Sequence, residues 1–103
     1  MLSIRQQEPG VFTASDGGQL LGSCRFSGEG EVTRIQSLSL KTADKELCDG
    51  LLRAVLFYGL RLGRPQFRFE GQAAAPYREL LRALKIPEQG EVGQLPRHCQ
   101  DSL

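Results

Sequence analysis

Apolar and polar residues alternate along the first third of the chain, the period of half-buried strands. In "MLSIRQ", Leu2 and Ile4 share a face and predict a short first strand, ended by the turn "EPG". "VFTAS" predicts a second strand. The "DGG" behind it is a hairpin signal, because glycine takes positive φ at little cost. "QLLGSCRFS" predicts a third strand, "GEGE" the next turn and "EVTRIQSLSLK" a fourth strand. Together they read as an antiparallel meander. The fourth strand changes phase: Ile35 lies on the odd face, Leu38 and Leu40 on the even one. Two arrangements give that pattern. Either both faces are partly buried, or an extra residue near Gln36 or Ser37 makes a bulge, leaving backbone groups free for a ligand.

From about Ala43 the period becomes helical. Leu47, Leu51, Val55, Tyr58 and Leu62 follow 4, 4, 3, 4 spacing, with Ala54 on the same stripe. Thr42 or Asp44 suits the N-cap, Asp44 and Glu46 complement the helix dipole, and Gly63 ends the helix. "RPQFRFEG" predicts a fifth strand with Phe67 and Phe69 on one face; Pro65 is tolerable at its start. Strand, helix and strand in this order make a parallel crossover. "PYRELLRALKIP" predicts a second helix with the stripe Tyr77, Leu80, Leu81 and Leu84, Pro76 at its first helical position and Pro87 at its exit. The expected class is α+β, a mixed, mostly antiparallel sheet in the order β-β-β-β-α-β-α, forming one domain over residues 1–90. Residues 91–103 are polar and weakly patterned, and predict a short edge strand from Glu91 to Leu95 or a loose tail.

Size and charge narrow the function classes. A chain of 103 residues suits one domain with little surplus stability. Thirteen basic residues face twelve acidic ones, and the arginines are scattered from Arg5 to Arg97, so no nucleic-acid or membrane partner is expected. The apolar run "LLRAVLFYGL" is interrupted by Arg53 and falls well short of the ~20 residues that span a bilayer. The N-terminus lacks the charged start and apolar run of a signal peptide, which predicts a cytoplasmic protein. Cys24, Cys48 and Cys99 form no C-x-x-C pair, and an odd number cannot all pair internally, so buried reduced thiols are expected. With one histidine, His98, and no ligand cluster, no metal site is expected.

With this strand order, "GSCRFSGEGEVTRIQSLSLK" resembles the hairpin into the fourth strand of the GNAT superfamily of N-acetyltransferases. "CDGLLRAVLFYGLRLG" resembles the body of the helix that follows, and "ELLRALKI" is similar to the helix that usually ends in leucine-glycine-phenylalanine. The similarity covers roughly residues 2–87. Only "EPG" separates the first two strands, so the two helices the family usually carries there have no room; the resemblance implies a three-layer fold lacking its first two helices. It also implies acetyl-CoA in a cleft between splayed fourth and fifth strands. The pantetheine arm would lie on the backbone of Leu38, Ser39 and Leu40. The pyrophosphate would sit on the turn and helix N-terminus formed by Lys45, Glu46, Leu47, Cys48 and Asp49. Exposed N–H groups and the positive helix end attract an anion there.

The family's phosphate motif has glutamine or arginine first, glycine fourth and glycine or alanine sixth. Aligned on Leu51–Leu52 it falls on "ADKELC", with Ala43, Glu46 and Cys48 at those places. Lys45 offers a positive charge, but Glu46 brings a negative one. Like charges at ~4 Å repel by about 1 kcal/mol in water and about 4 kcal/mol at an effective dielectric of 20. At the place of the family's tyrosine acid stands Leu81; Tyr77, one turn earlier, is either that acid or a core residue. Glu70, ending the fifth strand, is either a base toward an amine or a solvated carboxylate. Cys48 has a pKa lowered by the helix end or raised by burial.

Three functions fit. One is an acyl-CoA-dependent N-acyltransferase acting on a small-molecule or protein amine, its oxyanion held by backbone N–H near Leu38 to Leu40. The second is a non-catalytic GNAT-like module that has lost CoA binding and binds a partner or pairs as a homodimer, covering open sheet edges and the face bared by the missing helices. The third is a cleft for another small ligand.

Overall fold

The computed structural model describes residues 2–95. His98, Cys99 and the rest of the tail from residue 96 lie outside them. The chain runs β1 (Leu2–Glu8), β2 (Val11–Asp16), β3 (Gln19–Glu29), β4 (Val32–Leu40), α1 (Lys45–Arg61), β5 (Gln66–Phe69), a 3-10 turn (Ala75–Tyr77), α2 (Arg78–Ala83), β6 (Gln89–Glu91) and a second 3-10 turn (Val92–Gln94). The strands form one sheet in sequence order. Only the β4–β5 pair is parallel. This is the expected α+β meander with its helix crossover. The edge strand β6 begins before the predicted Glu91, because Gln89 to Glu91 pair with Arg68 to Gln66 while Val92 turns inward and is buried.

The phase change in β4 is a bulge. Arg25 pairs with Ser37 and Phe26 with Ile35, leaving Gln36 as the extra residue. The inserted residue returns Ile35 and Leu38 to one face, and both are buried. A second bulge at Leu21 shifts β3 against β2.

α1 covers one face of the sheet. A Cβ on Gly22 would meet Leu51, and one on Gly50 would meet Ile4, so β1 and β3 present Ile4 and Gly22 to the helix. The buried helix stripe is wider than predicted: Leu47, Leu51 and Val55 are joined by Cys48, Leu52, Leu56 and Gly59. Tyr58 packs edge-on against Phe12 and Phe26, with centroids 5.6 and 5.7 Å away. Leu62, expected on the stripe, is instead the C-cap and 54% exposed, because the helix ends there and its backbone turns off the sheet.

The other face carries no helix among the described residues. By register its central rows are Arg5–Thr13–Ser23–Ser39 and Glu8–Val11–Arg25–Ser37. These rows carry hydroxyls and charges around one apolar residue, Val11.

Candidate functional site

β4 outruns β5. Their pairing stops at Ile35–Phe69, where the Glu70 N–H still donates to the Ile35 carbonyl. Beyond it Gly71 and Gln72 leave the sheet, and Gln36 to Leu40 continue with no β5 partner. This is the notch the resemblance predicts between the fourth and fifth strands. Tyr77 enters it from the turn before α2. Its hydroxyl accepts the Leu40 N–H at 2.9 Å, while its ring packs against the core. Tyr77 is therefore both a packed residue and a group at the cleft. The Leu40 amide expected to pair with a pantetheine arm already has a partner.

The α1 N-terminus is also engaged. Asp44 is the N-cap, and its Oδ1 accepts the N–H groups of Glu46 at 2.8 Å and Leu47 at 3.3 Å. The Cys48 N–H makes the first helical bond, to the Asp44 carbonyl. A carboxylate supplied by the chain thus sits where an external pyrophosphate would need these donors. Glu46 is exposed beside it, and neither glycine of the family motif is present. These residues do not fit the pyrophosphate of acyl-CoA in the family's manner.

The remaining predicted site residues scatter. Leu38, Leu47 and Cys48 point into the core, while Ser39 and Lys45 are exposed. Asp49 is paired with Arg53 one helical turn on, at 2.8 Å. Burial pushes the Cys48 thiol up to about 12, with a smaller contribution from Asp49, so the helix end does not activate it. Cys24 is likewise buried and pushed up to about 12. Glu70 is not a solvated strand end. Arg34 grips both its carboxylate oxygens, at 2.6 and 2.8 Å, and Arg68 adds a contact at 3.3 Å. The Arg34 bonds, with the charges of Arg34 and Arg68, hold Glu70 below the usual carboxylate range, which makes it a poorer base. Among the described residues no group of His, Cys, Asp and Glu is gathered to hold a metal, and no helix is long and apolar enough to cross a membrane.

Sequence reasoning had Asp44 as a cap but not as the occupant of the anion site, although the two follow from one geometry. It missed Arg34 as the partner of Glu70. The two are 36 residues apart, and only the parallel β4–β5 register makes them neighbours.

No protein-family model matches the chain, and no curated protein matches it. Solved structures do. A probable acetyltransferase from Staphylococcus epidermidis superposes with a TM-score of 0.59 at 11% identity, over 71% of this chain and 49% of that one. N-acetylglutamate synthase from Neisseria gonorrhoeae, solved with coenzyme A and N-acetyl-glutamate, superposes with a TM-score of 0.58 at 14% identity. That match covers 68% of this chain and 18% of the synthase. The chain thus corresponds to half or less of either structure's length. At such identities the likeness concerns the backbone alone: the chain has a GNAT-like fold, in a compact α+β form whose first two strands are joined by a tight turn.

Proposed function

We infer that this chain is a non-catalytic GNAT-like module whose acyl-CoA cleft is filled by its own side chains. One observation carries this: donors from both sets that the cofactor would use are bonded internally, the Glu46 and Leu47 amides of the α1 N-terminus by Asp44 and the Leu40 amide by Tyr77. An incoming ligand must displace both and leave an aspartate facing its phosphates. The restrained Glu70 and buried Cys48 support the same reading, since neither offers a ready base or nucleophile.

The second reading, an acyl-CoA-dependent N-acyltransferase with an amine acceptor, is favoured by the fold's likeness to acetyltransferases, one of them solved with coenzyme A. In that reading Tyr77 keeps a hydroxyl proton to donate, because it only accepts from Leu40.

Calorimetric titration with acetyl-CoA and CoA separates the two. No heat is expected from the native chain at millimolar ligand, and measurable binding is expected in Asp44→Gly combined with Tyr77→Phe, which frees both donor sets. Micromolar binding to the native chain, or acetyl transfer to any amine in a panel, would overturn the module reading.

A further inference from the structure

The helix-free face of the sheet has a local feature that the cleft does not explain. Where β3 and β4 meet beyond the Leu21 bulge, a hollow of about 360 Å³ opens, lined by Gln19, Leu20, Leu21, Ser23, Ser39 and Lys41 among others. Ser23 and Ser39 are register partners, so their side chains leave the same face side by side. Lys41 is two residues past Ser39, on the same side, and the strand continues to it because its N–H donates to the Leu21 carbonyl at 2.8 Å. Leu20, 56% exposed, and the partly buried Leu21 at the bulge give these groups an apolar border. Among the described residues no carboxylate lines the hollow.

The surroundings have the same sign. Arg25 is two residues along β3 from Ser23, about 7 Å away on the same face, within reach of an outstretched guanidinium. Arg5 ends the row of Thr13, Ser23 and Ser39. Among the described residues no carboxylate pairs with Arg5, Arg25 or Lys41. Glu8, on the edge strand, is the carboxylate on these two rows. Elsewhere on the face the arginines are neutralised: Arg34 and Arg68 share Glu29 and Glu70. On this face of the sheet, the cations without an ion pair among the described residues thus lie around the hydroxyl pair and the hollow.

We propose that this hollow is a binding site for a phosphomonoester, its phosphoryl group held by Ser23, Ser39 and Lys41 with Arg25 closing over it. Two hydroxyls and an ammonium supply donors for several oxygens of one tetrahedral anion, and two cations match its double charge. A carboxylate would engage fewer of these donors. The wall of Leu20 and Leu21 gives the organic part of the ester an apolar surface. A nucleic-acid strand is disfavoured because the rows carry no aromatic side chain on which bases could stack. The site stands apart from the β4–β5 cleft and does not rest on the reading given for it.

The test is amide NMR mapping of the full chain titrated with inorganic phosphate and with glycerol 3-phosphate, at constant ionic strength set with sodium chloride. Saturable shifts centred on Ser23, Ser39 and Lys41 are expected, with glycerol 3-phosphate binding at least as tightly as phosphate. Lys41→Gln and the double change Ser23→Ala, Ser39→Ala should each weaken binding about tenfold or more while the remaining spectrum keeps its native dispersion. Non-saturating shifts, equal affinity in Lys41→Gln, or shifts centred on Lys45 to Leu47 would overturn the proposal. So would a short single-stranded oligonucleotide that binds where both small phosphates do not.

Discussion

Lys85 is the one described non-glycine residue with positive φ, at 60°. It sits where the leucine-glycine-phenylalanine ending has its glycine, between Leu84 and the buried Ile86. The Ile86 N–H returns to the Leu81 carbonyl at 2.9 Å, so the chain reverses in a left-handed cap that a side chain resists. Lys85→Gly is therefore expected to stabilise the protein by about 1 kcal/mol. The urea midpoint should rise with an unchanged slope. An unchanged or lower midpoint would mean that the lysine stem packs well enough to offset the strain.

α1 seats on the sheet through a contact that propensity scales misjudge. A Cβ on Gly59 would collide with Oγ1 of Thr33, which is fully buried on β4. By helix propensity alone, Gly59→Ala should stabilise α1 by roughly 1 kcal/mol. The close approach reverses the sign, and overpacking of this kind costs about 1–3 kcal/mol. Gly59→Ala is expected to lower the thermal midpoint. Restoring room with Thr33→Ser in the Gly59→Ala background tests the cause, since the methyl it removes lies 3.7 Å from the built Cβ whereas the hydroxyl it keeps can rotate. No recovery at all would place the damage elsewhere in the helix. Thr33 Oγ1 is also buried without a hydrogen-bond partner among the described residues. The glycine allows close packing at the expense of an unsatisfied hydroxyl.

On the scale of the molecule, one ionic network ties three strands together: Glu29 from β3, Arg34 from β4, and Arg68 and Glu70 around the end of β5. Its contribution depends on pH. Glu70 is held below the usual carboxylate range, so its folded pKa lies under its unfolded one. The stability it supplies is complete above the ordinary glutamate pKa and is lost as pH falls through the lowered value. Glu70→Gln should therefore reduce stability at pH 7 and leave a shallower decline below about pH 4.5. Urea melts of both proteins from pH 7 down to pH 3 read this directly, and parallel curves would show that Glu70 makes no pH-dependent contribution. The network also pins the end of β5 beside the notch.

Much of this was legible in the chain because it follows from local rules. Period-two alternation set the four-strand meander. The change to helical spacing at Ala43 set α1, and Asp44 was readable as its cap. The missing glycines in "ADKELC" already weaken the phosphate site at the level of sequence. The β4 phase change left two arrangements open, and the cross-strand register chose the bulge at Gln36, because only pairing with β3 decides which face Ile35 and Leu38 share. The other decisions were likewise long-range. Tyr77 meets Leu40 across 37 residues and Arg34 meets Glu70 across 36, so no local pattern encodes either contact. The cluster of Ser23, Ser39, Lys41 and Arg25 comes from two strands whose positive charges looked scattered in sequence. Local physics thus determined the elements and their order; which polar groups face each other, and so what the molecule can bind, was decided when the sheet closed its register.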